Sequence, residues 1–118
     1  MDVYDHAALD RELNQAICRG KTSEAFERFY SDDVVMEEPG GEVTEGKAAN
    51  RTREQELARK VREVHAELGP HAVNGDVSLS QWTMAVTYLD GRHRRIEQVA
   101  VRLWKDGMVA RERFFYEG

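Results

Sequence analysis

The chain holds a single cysteine, Cys18, among 118 residues. That number excludes an intramolecular disulfide and any zinc site built on cysteines. Cys18 falls within an early helical pattern, where a small buried residue is expected rather than a reactive thiol. No apolar run approaches the roughly 20 residues of a membrane span, and no segment resembles a signal peptide, so neither a membrane partner nor a location outside the cytoplasm is expected. A basic excess is missing as well. Lys and Arg number 17 against 22 Asp and Glu, a net charge of −5, which argues against a nucleic-acid partner. Two local basic clusters, Arg51 with Arg53 and Arg92-His93-Arg94-Arg95, read as solvated surface. His6, His65, His71 and His93 show no metal-ligand spacing, and no Ser-His-Asp set, phosphate loop or dinucleotide glycine pattern is present. No metal and no cofactor are expected.

What is present is an ordinary globular composition, 41% hydrophobic and 33% charged, in a length that supports one domain spanning residues 1–118 with its own core. From Asp5 to Arg19 the apolar residues Leu9, Leu13, Ala16 and Ile17 recur at helical spacing, with Asp5 as N-cap and Gly20 as stop. A second short helix from Ser23 presents Phe26, Phe29 and Tyr30. Val34 to Glu38 reads as a short strand ended by Pro39-Gly40-Gly41, and a heavily charged third helix begins near Gly46, its thin apolar line being Leu57, Val61 and Val64. From about Arg62 onward the chain is strand, turn and strand, with turns at Asn74-Gly75, Asp90-Gly91 and Asp106-Gly107 and a bend at Gly69-Pro70. Helices first and a meandering antiparallel sheet last is the α+β arrangement: a curved sheet with three helices closing one face.

The two Asp-Gly turns give strand registers. Treated as two-residue hairpins, they set Met84 opposite Glu97, Trp82 opposite Val99, Val101 opposite Glu112 and Glu97 opposite Tyr116. One face then carries Trp82, Met84, Val86, Val99, Val101, Leu103, Ala110 and Phe114, interrupted by Glu97, Glu112 and Tyr116. An apolar surface with a few convergent ionisable groups is the composition of a small-molecule cavity. Counting back from Asn74 places His65 on the same face, opposite Met84. The other face presents Ile96, Ala100, Trp104, Val109 and Phe115 with Arg102, Arg111 and Arg113, which predicts a homodimer burying Trp104 and Phe115.

Several stretches resemble the nuclear transport factor 2-like superfamily. Ser31-Asp32-Asp33-Val34-Val35-Met36-Glu37-Glu38-Pro39-Gly40-Gly41 is similar to the Asp-Asp and Asp-Pro-x-Gly segment of ketosteroid isomerases and SnoaL-like proteins. Thr44-Glu45-Gly46-Lys47 resembles the step that opens their third helix. Gln98 to Gly107 is similar to their penultimate strand and hairpin. The resemblance spans essentially the whole chain and implies a cone-shaped single domain. It also implies that Glu38 stands where ketosteroid isomerases carry an aspartate general base. The isomerases' oxyanion donors are not reproduced, their tyrosine position falling on Leu13 and their protonated acid near Val99. The His and Asp of the polyketide cyclases are absent around Glu112-Arg113-Phe114.

A carboxylate in an apolar cavity loses solvation, so its proton affinity rises toward neutrality. The candidate chemistry is therefore cofactor-free isomerisation, dehydration or cyclisation of an apolar cyclic molecule. Glu38 is the base, Glu97 or Glu112 the protonated donor assisted by Tyr116, and Trp82, Met84, Val99, Val101, Phe114, Tyr116 and His65 line the pocket. The alternative is a non-catalytic ligand-binding or structural dimeric domain, with Glu97 and Glu112 in satisfied polar pairs.

Overall fold

The computed structural model describes residues 3–116. The amphipathic N-terminal segments become α1 (His6–Cys18) and α2 (Thr22–Phe29), followed by β1 (Tyr30–Glu37), β2 (Val43–Glu45), α3 (Lys47–Ala58), β3 (Val61–Asn74), β4 (Val77–Tyr88), β5 (His93–Lys105) and β6 (Met108–Tyr116). The six strands form one sheet in the order β2-β1-β6-β5-β4-β3, with β1 and β6 parallel and every other pair antiparallel. The Asp5 carboxylate accepts the Ala8 amide at 3.0 Å and so caps α1. Gly20, at φ +77°, turns the chain out of the helix. Cys18 ends α1 and is exposed, not buried as its helical setting suggested.

The helices cover the concave face. Leu13, Phe26, Phe29, Val34, Met36, Trp104 and Val109 make one apolar cluster, in which the Trp104 ring meets Phe29 edge-on at 6.3 Å. Trp104 is 3% exposed. It lies in the core and is not available to the dimer surface predicted for it.

That displacement has a definite cause. At Asp90-Gly91 the loop is three residues long, because Tyr88 N donates to Arg92 O at 2.9 Å and Gly91 N to Tyr88 O at 3.0 Å. Gly91 takes φ +89°, the left-handed position that closes such a loop. Thr87 therefore pairs with His93, and Met84 with Ile96, not Glu97. At Asp106-Gly107 the expected two-residue turn forms and Lys105 pairs with Met108, but a bulge between Leu103 and Trp104 then shifts the remainder by one. Arg102 pairs with Glu112, Ala100 with Phe114 and Gln98 with Tyr116. A one-residue slip turns a strand over. The two slips cancel between β4 and β6, and β5 alone is reversed. Trp82, Met84, Val86, Glu112, Phe114 and Tyr116 keep the inner face. Glu97, Val99, Val101 and Leu103 move to the outer face, and Ile96, Ala100 and Arg102 come inside. Further irregularities in β3, one of them at Gly69-Pro70, set His65 opposite Ala85 on the outer face.

The reversal buries a guanidinium. Arg102 Nε donates to Glu112 Oε2 at 2.7 Å, and its Nη1 to Asp10 Oδ1 at 3.1 Å and Asn14 Oδ1 at 2.6 Å. Asp10 Oδ1 also accepts from Ser78 Oγ at 2.7 Å and Trp104 Nε1 at 3.0 Å. The Tyr30 hydroxyl donates to the other oxygen of Glu112 at 2.6 Å. Burial alone would lower the Arg102 pKa, but the charge of Glu112, with Tyr30 and Asp10, holds it above the ordinary value. Burial and the Glu112 charge both raise the Tyr30 pKa, so its hydroxyl remains a donor.

Removing one partner of a buried ion pair leaves the other uncompensated. Arg102→Met should lower unfolding free energy by about 3–5 kcal/mol, read as a fall in the urea midpoint. Tyr30→Phe keeps the ring and strips one donor from Glu112, and should cost about 1–3 kcal/mol. A smaller effect for Arg102→Met than for Tyr30→Phe would contradict the central place given to the guanidinium.

Candidate functional site

β1 ends at the Pro39-Gly40-Gly41 turn, where Gly41 N donates to Glu38 O at 3.1 Å and Glu38 N to Glu42 O at 2.8 Å. Gly40 and Gly41 sit at φ +94° and +90°, conformations that L side chains rarely adopt. Strand alternation puts Glu38 on the side of Met36, which pairs with Glu112 on the inner face. Above it, α3 is tied down by Asn50, whose buried amide donates to Thr44 O at 3.0 Å and Gly46 O at 2.9 Å. Arg53 and Glu54 follow Asn50 by three and four residues, and so share its sheet-facing side.

These anchors bring four groups together. Arg53 Nη1 donates to Glu38 Oε1 at 2.8 Å and Nη2 to Glu54 Oε1 at 3.3 Å, while the Tyr116 hydroxyl donates to Glu38 Oε2 at 3.1 Å. The Nε of Arg53 is buried without a partner among the described residues. Burial raises the Glu54 pKa; Arg53 pulls it down, and the negative charges of Glu112 and Glu38 push it up again, leaving it above the ordinary carboxylate value. The Tyr116 pKa is likewise raised, by burial first and then by Glu38.

The remaining residues expected in the pocket divide by face. Glu112 is inside, but both its oxygens are taken by Arg102 and Tyr30 in the sealed core. Glu97 is outside, 3.3 Å from Arg95. Val99 and Val101 share that outer face. His65 is exposed there beside Glu67. Trp82 is on the inner face but 2% exposed, its Nε1 bonded to Ser80, and so belongs to the core. Met84, Phe114 and Tyr116 are on the inner face and half-buried. Past Trp82 the inner face carries two pairing rows, the half-buried apolar Ala66–Met84–Ile96 and, beyond it, Val64–Val86–Arg94, in which Val86 is buried. A groove of about 830 Å³ runs around the strand ends beside Glu38, Phe114 and Tyr116 and continues past Arg113 and Phe115 on the outer side.

Residues 11–112 match the family model of the SnoaL-like domain. The chain belongs to the SnoaL-like domain family. Comparison of the sequence with curated proteins finds no match. Among solved structures, the SnoaL-like domain is similar to a Mesorhizobium loti protein provisionally named a SnoaL-like polyketide cyclase. The two are 26% identical over 96% of this chain and 100% of that one, with a TM-score of 0.83. It also shares its fold with an NTF2-like protein of unknown function from Burkholderia pseudomallei, at 16% identity over 98% and 92% of the two chains and a TM-score of 0.83. TerC, crystallised with polyporic acid, is 16% identical over 95% and 91%, with a TM-score of 0.80.

Arg53 and Glu54 of this SnoaL-like domain were not legible as site residues. Both lie in a helix charged on most sides, and the thin apolar line that pointed to Leu57 as its packed edge is misleading, since Leu57 is 50% exposed. Only the position of Asn50, a polar residue able to bind free carbonyls at a helix start, carried the correct phase.

A carboxyl whose pKa is higher folded than unfolded contributes stability below the unfolded value, and loses it as pH rises through the folded one. Glu54→Gln should therefore match the parent near pH 4 and become relatively more stable toward pH 7, by under about 1 kcal/mol because the side chain still reaches solvent. Thermal unfolding across that range reads the difference. A gap that shrinks with rising pH would contradict the assignment.

Proposed function

We propose that this SnoaL-like domain binds a small apolar cyclic molecule against the half-buried apolar row of the inner face and moves a proton on it without a cofactor. The observation that carries the reading is the Glu38–Arg53–Glu54 chain at the edge of that row, with a buried Arg53 Nε–H left unpartnered among the described residues. Such a donor costs about 1–3 kcal/mol unless something accepts from it, and a ligand oxygen is a suitable acceptor. Two carboxyl groups in unlike environments divide acid and base roles. Glu38, held by Arg53 and Tyr116, takes the proton from a carbon next to a carbonyl. Glu54, whose proton affinity is raised, returns a proton to the developing enolate; once Glu38 carries the abstracted proton it no longer needs the Tyr116 hydroxyl as a donor, and that hydroxyl turns to the enolate oxygen. Isomerisation follows when the proton is returned to a different carbon of the enolate, and elimination when the enolate instead expels a β-hydroxyl that takes the Glu54 proton and leaves as water.

Methyl NMR tests the binding step directly. Titration with polyporic acid and a panel of cyclic ketones should shift the Met84, Ile96 and Val86 methyl signals, and ligands that shift only distant methyls would count against the site. With a turned-over ligand in hand, Glu38→Gln and Glu54→Gln should each cut turnover by about 10²–10⁴-fold, while binding changes by only a few-fold.

We further propose a homodimer through the outer sheet face, recentred on residues that remain outside. Phe115, Leu103 and Leu79 are 45%, 40% and 48% exposed there, with Val99 and Val101 beside them and Arg113 stacked on the Phe115 ring at 4.8 Å. Aromatic and arginine side chains are enriched in interface cores. Light scattering at micromolar concentration should give twice the chain mass, and Leu103→Asp should return it to the monomer value.

A further inference from the structure

We propose that Glu37 is a positioning residue of the candidate site: gripped between Arg111 and Arg113 on the outer face of the sheet, it fixes the end of β1 and so aims Glu38 at Arg53 and Tyr116 on the inner face. This deepens the reading above and rests on Glu38 as the group that takes the proton. The pairing of β1 with β6 runs Val35–Arg111, Met36–Glu112 and Glu37–Arg113, and ends there. Glu38 is therefore the first residue past the last strand pair. Beyond it comes the Pro39-Gly40-Gly41 turn, whose two glycines take positive φ, a permissive stretch of backbone. On its other side β1 has only the three-residue strand β2. The direction of the Glu38 side chain is thus set chiefly by how firmly β1 is held to β6.

Glu37 supplies that hold from the opposite face. Its Oε1 accepts from Arg111 Nη2 at 3.4 Å, and its Oε2 pairs with Arg113 Nε. The Glu37 side chain is 16% exposed, while both arginines reach solvent. Arg111 and Arg113 are two residues apart on β6 and so share one face. A carboxylate shared between them resists sliding of β1 in either direction along β6. Arg113 is braced in turn, lying over the Phe115 ring at 4.8 Å. A lone surface ion pair contributes little, but one carboxylate shared by two arginines is a network.

Successive side chains of a strand point to opposite faces, so Glu37 and Glu38 move as two ends of one lever. A twist of β1 that draws Glu37 from its arginines turns Glu38 from its own partners. β6 grips the end of β1 on both faces, through the two arginines outside and through Tyr116 inside. The Tyr116 hydroxyl donates to Glu38 Oε2 at 3.1 Å, and a further displacement of about 0.5 Å would end that bond.

The double variant Arg111→Gln/Arg113→Gln separates positioning from charge. The Tyr116 pKa is raised by burial, then by the charge and hydrogen bond of Glu38, against the pull of Arg94 and Arg53. Removing two cations and freeing the Glu37 carboxylate can, by charge alone, only raise it further. If the two arginines act by aiming Glu38, the variant releases Glu38 from Tyr116 and the pKa falls, as it should in Glu38→Gln. Carbon-13 NMR of the tyrosine Cζ signals reads the titration, with Tyr116 assigned from the signal lost in Tyr116→Phe. A Tyr116 pKa that rises or stays would overturn the proposal. Glu37→Gln gives a second measurement at neutral pH, the NOE between the Tyr116 ring and the Glu38 methylene protons. It should weaken several-fold, and an unchanged NOE would equally refute the clamp. That substitution conserves shape, so the question stays decidable even if the double variant does not fold. Neither measurement needs a ligand. A clamp that fails leaves the proton-transfer reading standing, and a clamp that holds in a protein that binds no cyclic ketone removes that reading alone.

Discussion

Arg102, at 1% exposure, touches a helix, its own strand's neighbour and the core at once. A guanidinium in that position cannot shed its charge, so the structure must supply acceptors for it, and it does so from α1 and β6. Asp10 in turn gathers Ser78 and Trp104, and Glu112 gathers Tyr30. The inner-face register of β5, the seating of α1 and the path from α2 into β1 are all specified by the geometry of one side chain. An apolar core of similar volume would leave β5 free to present either of its faces; the buried charge does not.

The same network divides the inner face. Where α1 and α2 cover it, the polar groups bond to one another and no carboxylate is left over for chemistry. Toward the end of β1 the apolar row Ala66–Met84–Ile96 is half-buried, and the carboxyl groups of Glu38 and Glu54 share Arg53. Glu112 belongs to the first half but acts on the second through its charge, which contributes to the raised proton affinity of Glu54. Its exclusion from direct chemistry thus does not remove it from the electrostatics of the site.

Glu38 was legible because Pro-Gly-Gly after a strand is a local signal: it fixes where the strand stops and which way the last carboxylate turns. The inner-face placement of Met84, Glu112, Phe114 and Tyr116 was legible for a less secure reason, since two register slips cancelled across β5. The placement of Glu97, Val99 and Val101 was not. The alternation Val99-Val101-Leu103 argues for a buried stripe by hydrophobicity, and nothing local outweighs it. Trp104 and Arg102 in the opposite phase win only because distant partners, Phe29 for the ring and Asp10 with Glu112 for the guanidinium, are there to receive them. His65 moved outward for a similar reason, its register depending on irregularities in an edge strand.

By itself the sequence determined the element order, the α1 cap at Asp5, the two-residue turn at Asp106-Gly107 and the family, because these follow from short-range periodicity, turn chemistry and motif order. Tertiary structure decided which face of β5 is inside and which carboxylates meet. Those outcomes turn on whether a Gly closes a two- or a three-residue loop and on whether a single residue bulges. Both choices are nearly neutral locally, and it is the burial of Arg102 and Trp104, set by residues far away in the chain, that separates them.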